Sequence, residues 1–84
     1  MNQGKVLVVE DDKSVLAVLR GLLEEDGYWV RAVETGQRAR AELMENDFDV
    51  CLVDINLPDM DGLELLKETK ENGSTASIII MTAR

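Results

Sequence analysis

The stretch Val6-Leu7-Val8-Val9-Glu10-Asp11-Asp12 joins a short apolar run to three consecutive acids. A second apolar run, Val50-Cys51-Leu52-Val53, ends in the single acid Asp54. Short runs rich in β-branched residues are typical of strands that are buried on both faces of a parallel sheet. If these runs form neighbouring parallel strands, their carboxyl ends bring Glu10, Asp11 and Asp54 into one crevice at the edge of the sheet.

In a crevice lined by several carboxylates, the negative charges repel one another. Two like charges about 4 Å apart repel by roughly 4 kcal/mol at an effective dielectric of about 20. Such a cluster is stable where a cation occupies it or where one acid remains protonated. Mg2+ is a hard ion that prefers oxygen ligands, and it is the simplest occupant. We expect Glu10 and Asp11 to hold it, directly or through water, with Asp54 as a further metal-binding carboxylate. The backbone carbonyl of Asn56 could add a neutral ligand.

Asp54 is the candidate nucleophile of this site. A carboxylate held beside a divalent ion can attack phosphorus and form an acyl phosphate. Thr82, at the end of a later apolar run, could donate its hydroxyl to a phosphoryl oxygen. Another explanation for the first acids is that they favour the start of a helix through its macrodipole. That alternative stays open for Asp12, but it gives no reason for acids at the ends of both strands.

Four predicted strands alternate with three predicted helices along the chain. The strands are expected at Lys5–Val9, Tyr28–Ala32, Asp49–Val53 and Ser77–Thr82, and the helices after Asp12 or Ser14, after Thr35 and over Leu63–Glu71. This alternation predicts a doubly wound α/β domain, with a parallel sheet covered by helices on both faces. The residues expected to face the sheet are Val15, Val18, Leu19 and Leu22, widened by Leu16 and Leu23, in the first helix, Ala39, Leu43 and Met44 in the second, and Leu63 and Leu66 in the third.

Length and charge exclude several classes of function. The chain has 84 residues, which is enough for one domain. Its net charge of −8 argues against direct binding to nucleic acid, because the phosphate backbone would repel it. The chain contains no histidine, which excludes catalysis by histidine, histidine-metal sites and autophosphorylation on histidine.

Cys51 is the single cysteine, so we expect a small buried hydrophobic residue and no intramolecular disulfide. No apolar run approaches the roughly 20 residues that span a bilayer. No secretory signal is visible at the start of the sequence. We therefore expect a cytoplasmic protein that does not interact with membranes.

Three blocks of this sequence resemble the receiver domain of two-component response regulators. They are Val-Leu-Val-Val-Glu-Asp-Asp at 6–12, Leu-Val-Asp-Ile-Asn-Leu-Pro-Asp-Met-Asp-Gly at 52–62 and Ile-Ile-Met-Thr-Ala at 79–83. The resemblance implies a flavodoxin-like sheet with the strand order 2-1-3-4. It also implies that Asp54 is the phosphoacceptor, that Glu10 and Asp11 are the acidic metal-binding pair, and that Thr82 is the switch threonine, with the small residue Ala83 beside it.

The resemblance further implies a signalling switch rather than an enzyme. Such a domain takes a phosphoryl group from a histidine kinase or a phosphotransfer protein and controls an output, for which transcription is one candidate. It catalyses at most its own phosphorylation and dephosphorylation.

The last residue, Arg84, lies two positions after the end of the fourth predicted strand. The family's fifth strand and last two helices, with their lysine and switch aromatic, are not among residues 1–84. We therefore expect a partial receiver domain with an uncovered apolar edge at Ile78–Met81. It is expected to be poorly stable or to be completed by another chain through dimerisation or swapping. The alternative function is an interaction or dimerisation module that cannot be phosphorylated.

Two other families share part of the motif. A haloacid-dehalogenase-like phosphatase also uses a strand-end aspartate and Mg2+, but it needs a second aspartate two residues later. Here that position is Asn56, which cannot titrate. A calcium-binding EF-hand loop would use Asp59, Asp61 and Glu68, but its first position would be Leu57, which cannot bind a metal. We expect Pro58 to Gly62 to form a turn at the rim of the acidic crevice.

Overall fold

The computed structural model describes residues 4–81, in which strands and helices alternate strictly. The strands are β1 (Lys5–Val9), β2 (Trp29–Val33), β3 (Val50–Asp54) and β4 (Ser77–Met81), and the helices are α1 (Lys13–Glu25), α2 (Gly36–Glu45) and α3 (Gly62–Glu71). All four strands pair in parallel in the order β2-β1-β3-β4. The predicted α/β fold and strand order are confirmed, although β2 and β3 each begin and end one residue later than predicted.

The register of the sheet places the ends of β1 and β3 side by side. Val9 pairs with Val53, and Asp54 pairs with Met81 of β4. Glu10 follows Val9 directly, and its amide donates to the Val33 carbonyl of β2 at 3.1 Å. The carboxyl ends of the two central strands therefore meet at one edge of the sheet, as the sequence predicts.

The core is split by the sheet into two layers. The cluster on the α2 and α3 side contains Leu7, Val9, Val33, Ala39, Phe48, Cys51, Val53 and Leu65. The smaller cluster on the α1 side contains Val6, Val8 and Val30. Every residue from Val6 to Val9 is buried, because β1 lies between two other strands and under helices on both faces.

The faces that the helices bury differ in part from the prediction. In α1, Leu16, Leu19 and Leu23 pack against the sheet, whereas Val15, Val18 and Leu22 are exposed. In α2, Ala39 is buried and Leu43 packs against the core, but Met44 is exposed. In α3, Leu65 is buried and Leu66 is half-buried, whereas Leu63, which was predicted to face inward, is exposed. These segments carry apolar residues at more than one helical phase, so periodicity alone does not choose the inward face.

β4 is an edge strand of this four-stranded sheet, and its isoleucines are buried to different extents. Ile78 and Ile80 pack against the larger core cluster, whereas the side chain of Ile79 is 50% exposed. Within residues 4–81, no helix is both long and apolar enough to cross a membrane.

Candidate functional site

Three acids meet at the carboxyl edge of the sheet. Glu10 follows β1, Asp11 comes next along the chain, and Asp54 is the last residue of β3. One carboxylate oxygen from each residue lies within 4.8 Å of those of the other two. Glu10 and Asp54 are buried, with 3% and 7% of their surface exposed, whereas Asp11 is exposed. The structure therefore brings together the three acids that the sequence singled out, which we call the carboxylate cluster.

Asp12 is the N-cap of α1 and is not part of this cluster. Its Oδ1 accepts hydrogen bonds from the amides of Ser14 at 2.9 Å and Val15 at 3.2 Å. Its own amide donates to Oε2 of Glu10 at 3.2 Å. The alternative that the sequence left open for Asp12 is thus the one observed, because a carboxylate at this position satisfies amides of the first helical turn.

The β3–α3 loop, residues 55–61, folds back on Asp54. The amide of Asn56 donates to Oδ1 of Asp54 at 3.0 Å, which fixes the rotation of that carboxylate. Asn56 also forms an antiparallel bridge with Asp61, and the amide of Gly62 donates to the Ile55 carbonyl at 3.1 Å. The predicted turn at Pro58 to Gly62 is therefore a closed loop whose base lies beside the cluster.

Burial and like charge both act on Glu10. Burial is the largest cause that raises the pKa of its carboxyl group, and the neighbouring Asp54 and Asp11 raise it further. The amide of Asp12 acts in the opposite direction. The ion pairs between described residues are Arg20–Glu24, Arg31–Glu42 and Arg40–Glu68, so none of them neutralises the cluster.

This donor set fits Mg2+. All three side chains offer carboxylate oxygens, which are the ligands that hard divalent ions prefer. Glu10 and Asp54 are buried, and in the described part of the chain no cationic side chain is bonded to them. A bound cation would therefore offset the unfavourable negative charge of the buried carboxylates.

The other residues that were predicted for the site lie partly outside the described part of the chain. Asn56 lies next to the cluster through its amide, and its carbonyl as a ligand remains a prediction. Thr82 and Ala83 lie outside the described residues, so their roles also remain predictions. Met81, which precedes Thr82, accepts from the amide of Ile55 at 3.1 Å.

The acids of the hypothetical EF-hand loop have other partners. Asp61 caps α3 by accepting from the amide of Leu63 at 2.8 Å, and Glu68 forms an ion pair with Arg40 at 2.7 Å. Asp59 accepts from the amides of Gly36 and Gln37 at the start of α2. These three carboxylates point to three separate partners, so the structure does not support a calcium loop here.

The tie between Asp59 and α2 is a feature that the sequence did not reveal. The two partners of Asp59 are backbone amides 23 and 22 residues away. Almost every residue has a backbone amide, so the sequence does not indicate which amides Asp59 binds. The only indication of such a bond was the presence of an acid in a loop that was predicted to form a turn.

The sequence is similar to receiver domains along almost its whole length. A family model described as the response regulator receiver domain matches residues 6–84. The DNA-binding transcriptional regulator NtrC of Proteus hauseri is 45% identical over 83 residues, which cover 99% of this chain but 18% of NtrC. The chain therefore spans less than a fifth of the length of this curated relative.

Solved structures share the fold. A CheY-like response regulator receiver domain protein from Methanospirillum hungatei JF-1 matches with a TM-score of 0.90 and 32% identity, over 95% of this chain and 64% of that one. The response regulator TrrA from Thermotoga maritima, solved in complex with Mg2+-BeF, matches with a TM-score of 0.89 and 31% identity, over 95% of this chain and 70% of that one.

Proposed function

The chain belongs to the response regulator receiver domain family, and we propose that Asp54 accepts a phosphoryl group in a two-component signalling pathway. The donor is a histidine kinase or a phosphotransfer protein. The observation that carries the proposal is the carboxylate cluster, in which a strand-end aspartate lies beside two further acids within 4.8 Å. The TrrA structure, which holds Mg2+-BeF on a similar fold, supports Mg2+ as the metal.

In this proposal all three acids of the cluster bind the metal, and Asp54 is also the phosphoacceptor. Glu10, Asp11 and Asp54 would hold Mg2+, directly or through water, and the Asn56 carbonyl would add a neutral ligand. When bound, Mg2+ offsets the negative charge that carboxylates and phosphoryl oxygens bring together. Asp54 is oriented by the Asn56 amide on its Oδ1, and its deprotonated carboxylate attacks phosphorus. An O–P bond forms at Asp54, the P–N bond of the donor phosphohistidine breaks, and the imidazole leaves with that electron pair.

The phosphoryl group then changes the charge at the edge of the sheet. A carboxylate of charge −1 becomes a group near −2, with three oxygens that seek hydrogen-bond donors. We assign Thr82 as one donor, because it follows Met81, the register partner of Asp54. To shift the populations of two surface conformations from 1:99 to 99:1, phosphorylation must stabilise one conformation over the other by about 5.5 kcal/mol. The output of the whole protein is proposed to be transcription, as in the NtrC relative.

Partners other than the phosphoryl donor also remain proposals. A second copy of this chain, joined by dimerisation or by the swapping of a segment, is one such proposed partner. Catalysis of any reaction beyond the protein's own phosphorylation and dephosphorylation is not proposed.

Intact-mass spectrometry with Mg2+ and acetyl phosphate tests the proposal directly. We expect one phosphoryl adduct, which disappears in Asp54→Ala and when Mg2+ is removed. The control Glu45→Ala removes an exposed acid from α2 and is expected to keep the adduct. An adduct that survives in Asp54→Ala, or no adduct on the unsubstituted chain, would contradict the assignment. The fluorescence of Trp29 is a poor probe of this site, because Trp29 begins β2 and lies at the amino-terminal ends of the strands, away from the carboxylate cluster.

A further inference from the structure

The carboxylate of Asp59 ties the β3–α3 loop to the first turn of α2. Its Oδ1 accepts from the amide of Gly36 at 2.8 Å, and its Oδ2 accepts from the amide of Gln37 at 2.9 Å. Both amides belong to the helix start, where no intrahelical acceptor is available. The loop that begins at Asp54 is therefore fixed at its tip to a separate helix.

α2 already has a cap of its own. Thr35 is its N-cap, and Oγ1 of Thr35 accepts from the amide of Arg38 at 3.1 Å. Asp59 satisfies two further amides near the positive end of the helix dipole. The Gly36 amide is the largest cause that lowers the pKa of Asp59, so the carboxylate form is the one that the helix holds. These bonds thus add to the capping of α2 and also fix the loop relative to the helix.

The side chain of Met60 packs the β3–α3 loop against the first turn of α2. Gly36 is buried, and a Cβ at this position would overlap Sδ and Cγ of Met60. Met60 itself is partly buried and packs against the larger core cluster. An apolar contact and two charge-assisted hydrogen bonds therefore act together at the loop tip.

The base of this loop is the backbone next to the carboxylate cluster. Asn56 donates its amide to Asp54 and bridges Asp61, which caps α3. The loop is short and closed at its base, so few backbone dihedrals can absorb a displacement of the tip. A movement of residue 59 would consequently rotate the peptide units close to Asn56.

We propose that Asp59 is a positioning residue for the metal site. Its bonds to Gly36 and Gln37 hold loop 55–61, which carries Asn56, in place beside the carboxylate cluster. The inference rests on the Mg2+ site of the proposed function, but it does not require phosphoryl transfer. Asp59 acts through the loop, and removing it weakens Mg2+ binding while Glu10, Asp11 and Asp54 stay in place.

A Mg2+ titration of the full chain, followed by NMR at the amides of Ile55 and Asn56, tests the proposal. Asp59→Ala removes both the charge and the hydrogen bonds, whereas Asp59→Asn removes the charge and keeps an acceptor. Loss of such a supporting contact is expected to raise the Mg2+ dissociation constant about 10-fold in Asp59→Ala. The increase in Asp59→Asn is expected to be smaller.

Glu34→Ala is the matched control for charge. Glu34 is exposed, and its side chain has no hydrogen bond or ion pair among the residues that the structure describes. Its loss is expected to change the dissociation constant by less than about twofold, since exposed charges are screened. The unfolding free energy of every variant is measured in parallel with urea.

Equal dissociation constants in Asp59→Ala and Glu34→Ala would overturn the proposal, even if Asp59→Ala were less stable. Asp59 would then support only the fold. If Asp59→Ala does not fold, Asp59→Asn is compared with Glu34→Ala on the same criterion. Failure of the unsubstituted chain to form a phosphoryl adduct would remove the proposed function and leave the Mg2+ comparison intact. Failure to bind Mg2+ would overturn both.

Discussion

Gly62 lies so close to the backbone of Asp54 that a Cβ at residue 62 would stand 2.7 Å from the Asp54 carbonyl oxygen. The same Cβ would approach the Cα of Ile55 to 3.1 Å. Both contacts are with backbone atoms, which cannot move aside as the end of a flexible side chain can. The start of α3 therefore packs directly on the peptide that carries the candidate phosphoacceptor.

Gly62→Ala is expected to lower the unfolding free energy by about 1–3 kcal/mol, because the added methyl group forces the loop and the helix apart. Urea unfolding measures this change. Gly21→Ala is the matched control, since Gly21 lies in α1 with no atom within 4 Å of the added Cβ. It is expected to stabilise the protein by about 0.5–1 kcal/mol through helix propensity. Changes of the same sign in both variants would contradict the close approach at Gly62.

Leu65 and Leu63 test which face of α3 is buried. Leu65 is 1% exposed and Leu63 is 50% exposed. Leu65→Ala is expected to cost about 2–5 kcal/mol, because it leaves a cavity under the helix. Leu63→Ala is expected to cost less than about 1 kcal/mol at its exposed position. Equal losses on thermal or urea unfolding would mean that α3 packs with another face toward the sheet.

Glu10→Gln is expected to separate stability from metal binding. The pKa of Glu10 is raised in the folded protein, so its contribution to stability is fully present below the pKa of the unfolded chain. That contribution is lost as the pH rises through the folded pKa. Without Mg2+ at neutral pH, Glu10→Gln should therefore be more stable than the unsubstituted chain.

The same substitution is expected to weaken Mg2+ binding by at least about 10-fold, because a carboxylate that holds the ion, directly or through water, matters at least as much as its supporting partners. Urea unfolding with and without Mg2+ gives both quantities. A loss of stability in the absence of Mg2+ would show that repulsion within the cluster is not the dominant effect. The pH dependence of unfolding should flatten in Glu10→Gln.

The thiol of Cys51 should be unreactive toward alkylating agents in the folded protein. It is buried between β1 and β4, and burial raises the pKa of its thiol to about 12. The reactive thiolate is therefore scarce near neutral pH. We expect alkylation by iodoacetamide at pH 8 to occur only in urea, with Cys51→Ala as the unreactive control.

The raised pKa of Cys51 also predicts a loss of stability at high pH. The unfolded thiol ionises near its ordinary pKa of 9.0, whereas the folded thiol stays protonated up to about 12. The stabilisation is complete below the unfolded pKa, and it falls by roughly 1.4 kcal/mol per pH unit between the two values. Rapid alkylation of the native protein would contradict this account.

The sequence predicted best those features that are encoded locally. β1 was predicted to the residue, because its apolar run ends at Glu10 and the strand begins directly after Gly4. The meeting of Glu10 and Asp54 followed from one general property of parallel sheets, namely that the carboxyl ends of neighbouring strands lie at the same edge. The resemblance to receiver domains supplied the strand order, which no local pattern encodes.

The features that the sequence missed depend on tertiary packing. The leucines of α3 are spaced so that more than one face could be buried, and only the sheet beneath selects Leu65. Asp59 bonds to backbone amides of a helix more than 20 residues away, so no spacing in the sequence indicates its partners. Loops that join two elements through side-chain-to-backbone bonds are therefore where a sequence-based account is weakest.

The carboxylate cluster is assembled from residues that are 44 positions apart, Glu10 and Asp54, and it exists only when β1 and β3 are paired. A divalent ion that requires all three acids binds the native chain and not the denatured one. By mass action, such an ion at 100 times its dissociation constant favours the native state by about 2.7 kcal/mol. The free Mg2+ concentration thus becomes a thermodynamic variable of folding itself, and the melting temperature should rise with the logarithm of that concentration.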